Sequence, residues 1–147
     1  MSNQLERVAK FERDKEQQAA QLFQQAQTIV NQQRQKLSSL EQYRIDYLKN
    51  IQQTGQSGVG AKQYTQHLSF VGKLDKACEQ QTQYVSQATL AADQRKRQWL
   101  AQQQRCKAVE LLLEKKRLAK EKRESRLEQN MLDEYANRAF FRRFHAK

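Results

Sequence analysis

The chain has 147 residues, of which 37% are hydrophobic and 29% are charged, with a formal net charge of +11. That is too polar for a globule with a deep core, and no stretch approaches the roughly 18 apolar residues of a membrane span. The sequence contains no proline, where about seven are usual at this length, and glutamine is its commonest residue with 26 copies.

Gln, Lys, Arg, Glu, Ala and Leu all favour helix. Three of the four glycines, Gly55, Gly58 and Gly60, fall within six positions. Two breaker-free stretches around one glycine-rich knot predict an all-α chain: a long antiparallel two-helix coiled-coil hairpin forming a single unit. The expected bounds are a helix over 3–53, a turn over 54–61 and a second helix over 62–141. Low hydrophobicity with high net charge also permits disorder, but the heptad periodicity argues against it. The N-terminal stretch lacks the apolar core of a signal peptide.

In the first helix, alternate steps of three and four from Leu5 pass Val8, Glu12, Lys15, Ala19, Leu22, Ala26, Ile29, Gln33, Lys36, Leu40, Tyr43 and Tyr47. Eight of these twelve are apolar. The polar pairs Glu12/Lys15 and Gln33/Lys36 make two weak patches in this seam, which cost stability and help set register. The second helix follows Leu74, Cys78, Gln81, Val85, Ala88, Ala92, Arg95, Trp99, Gln102, Cys106, Val109 and Leu113. A turn centred near Ser57 sets residue i opposite about residue 114 − i, so that Leu22 faces Ala92 and Leu40 faces Leu74. Gly72 interrupts the second helix and marks a bend or a close helix contact.

Cys78 and Cys106 sit at heptad core positions with no CxxC and no clustered His. They read as small buried hydrophobes in a reducing cytoplasm. His67 and His145 are far apart along the chain, and the GxxxxGK[ST], GxSxG and HExxH patterns are absent. Nothing in the pattern suggests an enzyme, a cofactor or a metal.

Three features exceed what a two-helix seam needs. Around the turn, Leu37, Leu40, Tyr43, Tyr47, Leu48 and Ile51 face Leu68, Phe70, Val71, Leu74, Ala77 and Cys78. These apolar arcs span roughly 140° and 180° of their helices. They either thicken the seam or expose an aromatic patch to a partner. Next, the second helix is the longer one, and beyond Leu113 it has no partner within the chain. Isolated helix is marginal in water, so this overhang frays or is held by another protein. It is basic: residues 95–147 hold 16 Lys and Arg against 7 Asp and Glu. The run Lys115, Lys116, Arg117, Arg123 and Arg126 reads either as a solvated face, since Glu114, Glu121, Glu124 and Glu128 interrupt it, or as a surface for an acidic partner. In sequence the signs are mixed, which disfavours nucleic acid. Last, Phe140, Phe141 and Phe144 form an aromatic end that frays, docks in an apolar cleft or lies on an anionic membrane surface.

The order of several motifs resembles the flagellar FliJ family of type III export proteins. The residues that carry the resemblance are Leu40-x-x-Tyr43-x-x-x-Tyr47 before the glycine turn and Phe70-x-x-x-Leu74-Asp-Lys-Ala77-Cys-Glu-Gln after it. Lys107-Ala-Val-Glu-x-Leu-x-x-Lys115-Lys and Leu132-Asp-Glu-Tyr135-Ala follow in the C-terminal part. The resemblance implies a soluble helical hairpin similar to the central stalk of rotary ATPases. It would be cytoplasmic and peripheral at the inner face of the cell membrane, at the flagellar base. Its two chain ends would dock in the export ATPase ring, and the region near the turn would contact the cytoplasmic domain of the export gate; related proteins also bind export chaperones. Carried over, the gate-facing residues are Leu40, Tyr43, Tyr47, Phe70, Leu74 and Ala77. The C-terminal basic helix, with Lys115, Lys116, Arg117, Arg123 and Arg126, would serve the ATPase. The equivalent stalk of a virulence type III system and a basic coiled-coil scaffold on nucleic acid are the alternatives.

Overall fold

A computed structural model describes residues 2–56, 58 and 60–145. Two α-helices account for nearly all of them: α1, Ser2–Gln56, and α2, Ala61–His145. They pack against each other as a helical hairpin. Helix continues through Thr54, Gly55 and Gln56 and resumes at Ala61, so four residues of the expected eight-residue turn are helical. Ser57 and Val59 of that turn lie outside the described residues. The reversal takes place where Gly58 adopts φ +82, a conformation that glycine alone reaches at little cost. The Gly58 amide donates to the Gly55 carbonyl at 3.4 Å, and the Gly60 carbonyl accepts the first bond of α2 from the Tyr64 amide at 3.1 Å.

The chain divides into two compact units, one spanning Glu16–Gln102 and one combining the residues up to Lys15 with those from Gln103 onward. In the first, here the turn unit, the helices run antiparallel. The Tyr47 hydroxyl meets His67 Nδ1 at 2.6 Å, and Gln81 Nε2 donates to both the backbone carbonyl and the side-chain oxygen of Gln33. Phe23 stacks on Trp99 with ring centroids 5.7 Å apart. Val30, Leu74 and Ala92 are buried in this unit. In the terminal unit, Cys106 Sγ donates to the Glu12 carbonyl at 3.0 Å, and Ala9 and Cys106 are buried.

The seam of α1 differs from the expected one. Its covered positions step by fours and threes from Leu5: Ala9, Glu12, Glu16, Ala19, Phe23, Ala26, Val30, Gln33, Leu37, Leu40, Arg44, Tyr47 and Ile51, with Ala20 and Gln27 half-buried beside them. Every second residue of the predicted track is therefore displaced by one position. Val8, Leu22, Ile29 and Tyr43 stand exposed, and Ala9, Phe23, Val30 and Arg44 take their places. Both tracks share the line through Leu5, Ala19 and Tyr47, and apolar residues flank it on either side. Only the partner helix chooses between them, through contacts such as Phe23 on Trp99 and Gln33 on Gln81. In α2 the predicted track is covered at every position except Arg95, which is exposed and donates to Gln98 instead. A guanidinium keeps its hydration there rather than entering the seam.

Gly72 marks no close contact. A Cβ built there meets nothing within 4 Å.

Candidate partner-binding surfaces

Near the turn, α1 and α2 bring together most of the residues singled out for the export gate, but in different roles. Leu74 is buried at 7% exposure, whereas Tyr43 is 51% exposed. Leu40, Tyr47, Phe70 and Ala77 are half-buried. Tyr47 is wedged between His67 and Phe70, with ring centroids 5.7 and 4.7 Å away, and Phe70 also meets Tyr43 edge-on at 6.3 Å. The aromatic cluster thus has a covered base, Leu74 with Tyr47 and Phe70, and an open rim at Tyr43. An Arg44–Asp75 ion pair links the two helices beside it.

Further apolar side chains are open near the turn, on the other side of the seam from Tyr43. Ile45, Leu48, Tyr64 and Leu68 are exposed as well. Tyr64 and Leu68 lie four residues apart on one face of α2. That spacing was readable from sequence, since both fall within the expected second helix, but neither was singled out as a contact to the export gate. His67, a lone histidine by sequence, is the hydrogen-bond partner that holds the Tyr47 hydroxyl. Further along the turn unit, Leu40 lines a shallow groove of about 530 Å³ with Gln32, Gln35, Lys36, Ser39 and Gln81. Most of the side chains around it are polar, but the surface they present to it is mainly apolar carbon.

The terminal unit carries the basic residues. From Glu114 to His145 every side chain is exposed. Lys115, Lys116, Arg123 and Arg126 are solvated, while Arg117 is engaged. Arg117 donates to both carboxylate oxygens of Glu114, at 2.6 and 3.1 Å, and to Glu121 at 2.6 Å. These bonds hold the Glu114 carboxyl below the usual glutamate value and raise the Arg117 guanidinium above its own. At the C-terminal end, Phe140 stacks on Phe144 and Phe141 on His145, with centroids 6.2 Å apart in both pairs. These rings cover one another only in part and remain exposed.

Among the described residues there is no group of three or more His, Cys, Asp or Glu placed to hold a metal ion. No described helix is long and apolar enough to cross a membrane. The two cysteines form no disulfide; Cys106 is buried and Cys78 half-buried. What these surfaces offer is contact area: aromatic with a polar fringe near the turn, cationic in the overhang.

The comparisons with known proteins agree on one family. A family model described as "Flagellar FliJ protein" matches residues 1–144. The Flagellar FliJ protein of Escherichia coli (strain K12) is 29% identical over 125 residues, covering 85% of each chain. That of Salmonella typhi is 27% identical over 125 residues, again 85% of each chain. No solved structure matches the chain. With its sequence matched almost from end to end and its helical hairpin in place, the chain belongs to the flagellar FliJ protein family.

Proposed function

We propose that this protein is a non-catalytic, stalk-like component of the flagellar type III export apparatus, joining the export ATPase ring to the cytoplasmic domain of the export gate and serving export chaperones. One observation supports it above the others. Surface that the hairpin does not use for its own folding occurs in both units and is chemically different in each. The turn unit exposes the Tyr43 ring at the edge of an aromatic cluster, and the terminal unit exposes a cationic helix. A chain that only braced one partner would need one such surface.

In this reading, Tyr43 makes the gate contact, with Leu40, Tyr47, Phe70, Leu74 and Ala77 shaping and supporting it. Lys115, Lys116, Arg117, Arg123 and Arg126 belong to the ATPase-facing helix. Family membership favours a flagellar over a virulence system. The test is copurification of the gate's cytoplasmic domain with the wild-type chain and with Tyr43→Ala/Phe70→Ala. Loss of capture at unchanged helicity supports the gate site, and undiminished capture removes it.

A further inference from the structure

From Arg105 to Glu128 the charges of α2 are mixed in sequence but separated on the helix; beyond Glu128 the separation ends, with Asp133 and Glu134 on the basic side and Arg142 and Arg143 on the acidic side. With about 100° between successive residues, Glu110, Glu114, Glu121, Glu124 and Glu128 recur at steps of three, four or seven. They occupy one arc of roughly 80° of α2. Arg105, Lys115, Lys116, Lys122, Arg123 and Arg126 fall in an arc of roughly 120° centred on the opposite side. Arg117 belongs to the acidic arc, Lys107 lies near its edge, and Lys120 lies between the two.

The contacts follow the same division. On the acidic side, Arg13 pairs with Glu110 at 3.3 Å and Arg117 with Glu114 and Glu121. A groove there of about 600 Å³ is lined by Glu6, Lys10, Arg13, Glu110, Glu114 and Arg117, together with Leu113. Another groove of the same unit, about 500 Å³, is lined by Gln4, Leu5, Arg7, Val8 and Lys116 and has no carboxylate. Among the described residues, none of the six cations of the basic arc makes an ion pair. Leu112, 52% exposed, lies in the middle of that arc between Ala108 and Ala119.

We propose that the terminal unit binds its partner through one face only, a cationic face with an apolar centre at Leu112, and that the partner surface is protein, acidic and apolar in its middle. Charge complementarity sets the sign of that partner. The choice of protein over nucleic acid comes from the apolar strip, since a phosphate backbone rewards cations and stacking rings rather than Leu and Ala. Arg117 is excluded from the contact, because its guanidinium is spent on two carboxylates of its own helix. The identity of the partner as the export ATPase rests on the function proposed above; the division into faces does not.

The test measures affinity of the full chain for the export ATPase at low and physiological salt. Reversal of the basic face, Lys115→Glu/Lys116→Glu/Arg123→Glu/Arg126→Glu, is expected to weaken binding at least tenfold, about 1.4 kcal/mol, with helicity unchanged by circular dichroism. Leu112→Ser is expected to weaken it severalfold. Glu124→Gln/Glu128→Gln, which raises the net charge on the far side, is expected to stay near the wild-type affinity. Wild-type binding that survives the reversal, or gains as much from the glutamine variant as nonspecific attraction would give, overturns the one-face assignment alone. A wild-type chain that does not bind the ATPase overturns the partner reading and this inference with it. Equal affinity for a short random-sequence DNA duplex at physiological salt overturns the choice of protein.

Discussion

Two glycines that look alike in sequence have opposite roles. Gly58 sits at φ +82, where a side chain is strained whatever the space around it. Gly72 lies in the interior of α2 with open space where a Cβ would stand. Gly72→Ala is expected to raise stability by about 0.5–1 kcal/mol, because alanine removes unfolded-state freedom without meeting a neighbour. Gly58→Ala is expected to lower it by roughly 1 kcal/mol or more. Urea titrations of the two variants check both signs. A third residue-scale effect belongs to Gln81, buried and donating to Gln33 from inside the seam. Gln81→Ala is expected to cost about 1–2 kcal/mol, since it leaves the Gln33 acceptors without their donor and opens a small void. A melting temperature equal to wild type would contradict that. Sequence showed that Gln33 and Gln81 are polar seam positions. It did not show that they satisfy each other, because that depends on register between helices 48 residues apart in the chain.

At the scale of elements, α1 is covered along most of its length, whereas α2 beyond Leu113 is fully solvated. Helix without tertiary cover depends on weak local pairs along its surface. Arg117 with Glu114 and Glu121 is the main such pair in the overhang. Since the Arg117 hydrogen bond lowers the Glu114 value in the folded state, its contribution is complete above the usual glutamate value. It is lost as the pH falls through the lowered one. Helicity of the overhang is therefore expected to decline on acidification from neutral pH to below about 4. Arg117→Gln should flatten that decline, as followed by circular dichroism of wild type and variant. The aromatic base near the turn was legible from its motif, because Tyr47, Phe70 and Leu74 recur at coiled-coil spacing. Which of these rings stays open was not legible. Tyr43 and Tyr47 differ by four residues, yet one is half exposed and the other is held under His67.

For the whole molecule, the division of surplus surface between two units yields a prediction that neither helix makes alone. Truncation after Val109 removes most of the cationic arc while leaving the turn unit intact in sequence. The shortened chain is expected to retain capture of the gate domain and to lose stimulation of ATPase activity. Loss of both on truncation would mean that the units do not act separately. Full stimulation by the shortened chain would remove the overhang from the ATPase contact.

What the amino-acid sequence determined by itself is the helical hairpin. Without proline, and with glycines gathered at one place, helix propensity favours two long helices and a reversal, and the heptad pattern pairs them. The α2 seam was equally readable, because one face of that helix is apolar at every heptad step but the few polar ones. Tertiary structure alone decided which of two neighbouring apolar lines on α1 faces inward. It also decided which tyrosine is open and which arginine of the basic run is already satisfied. The physical reason is common to all three. A side chain's position along its own helix follows from the helix period, but its burial and its partners depend on the volumes and charges across the seam, which one helix's sequence does not contain.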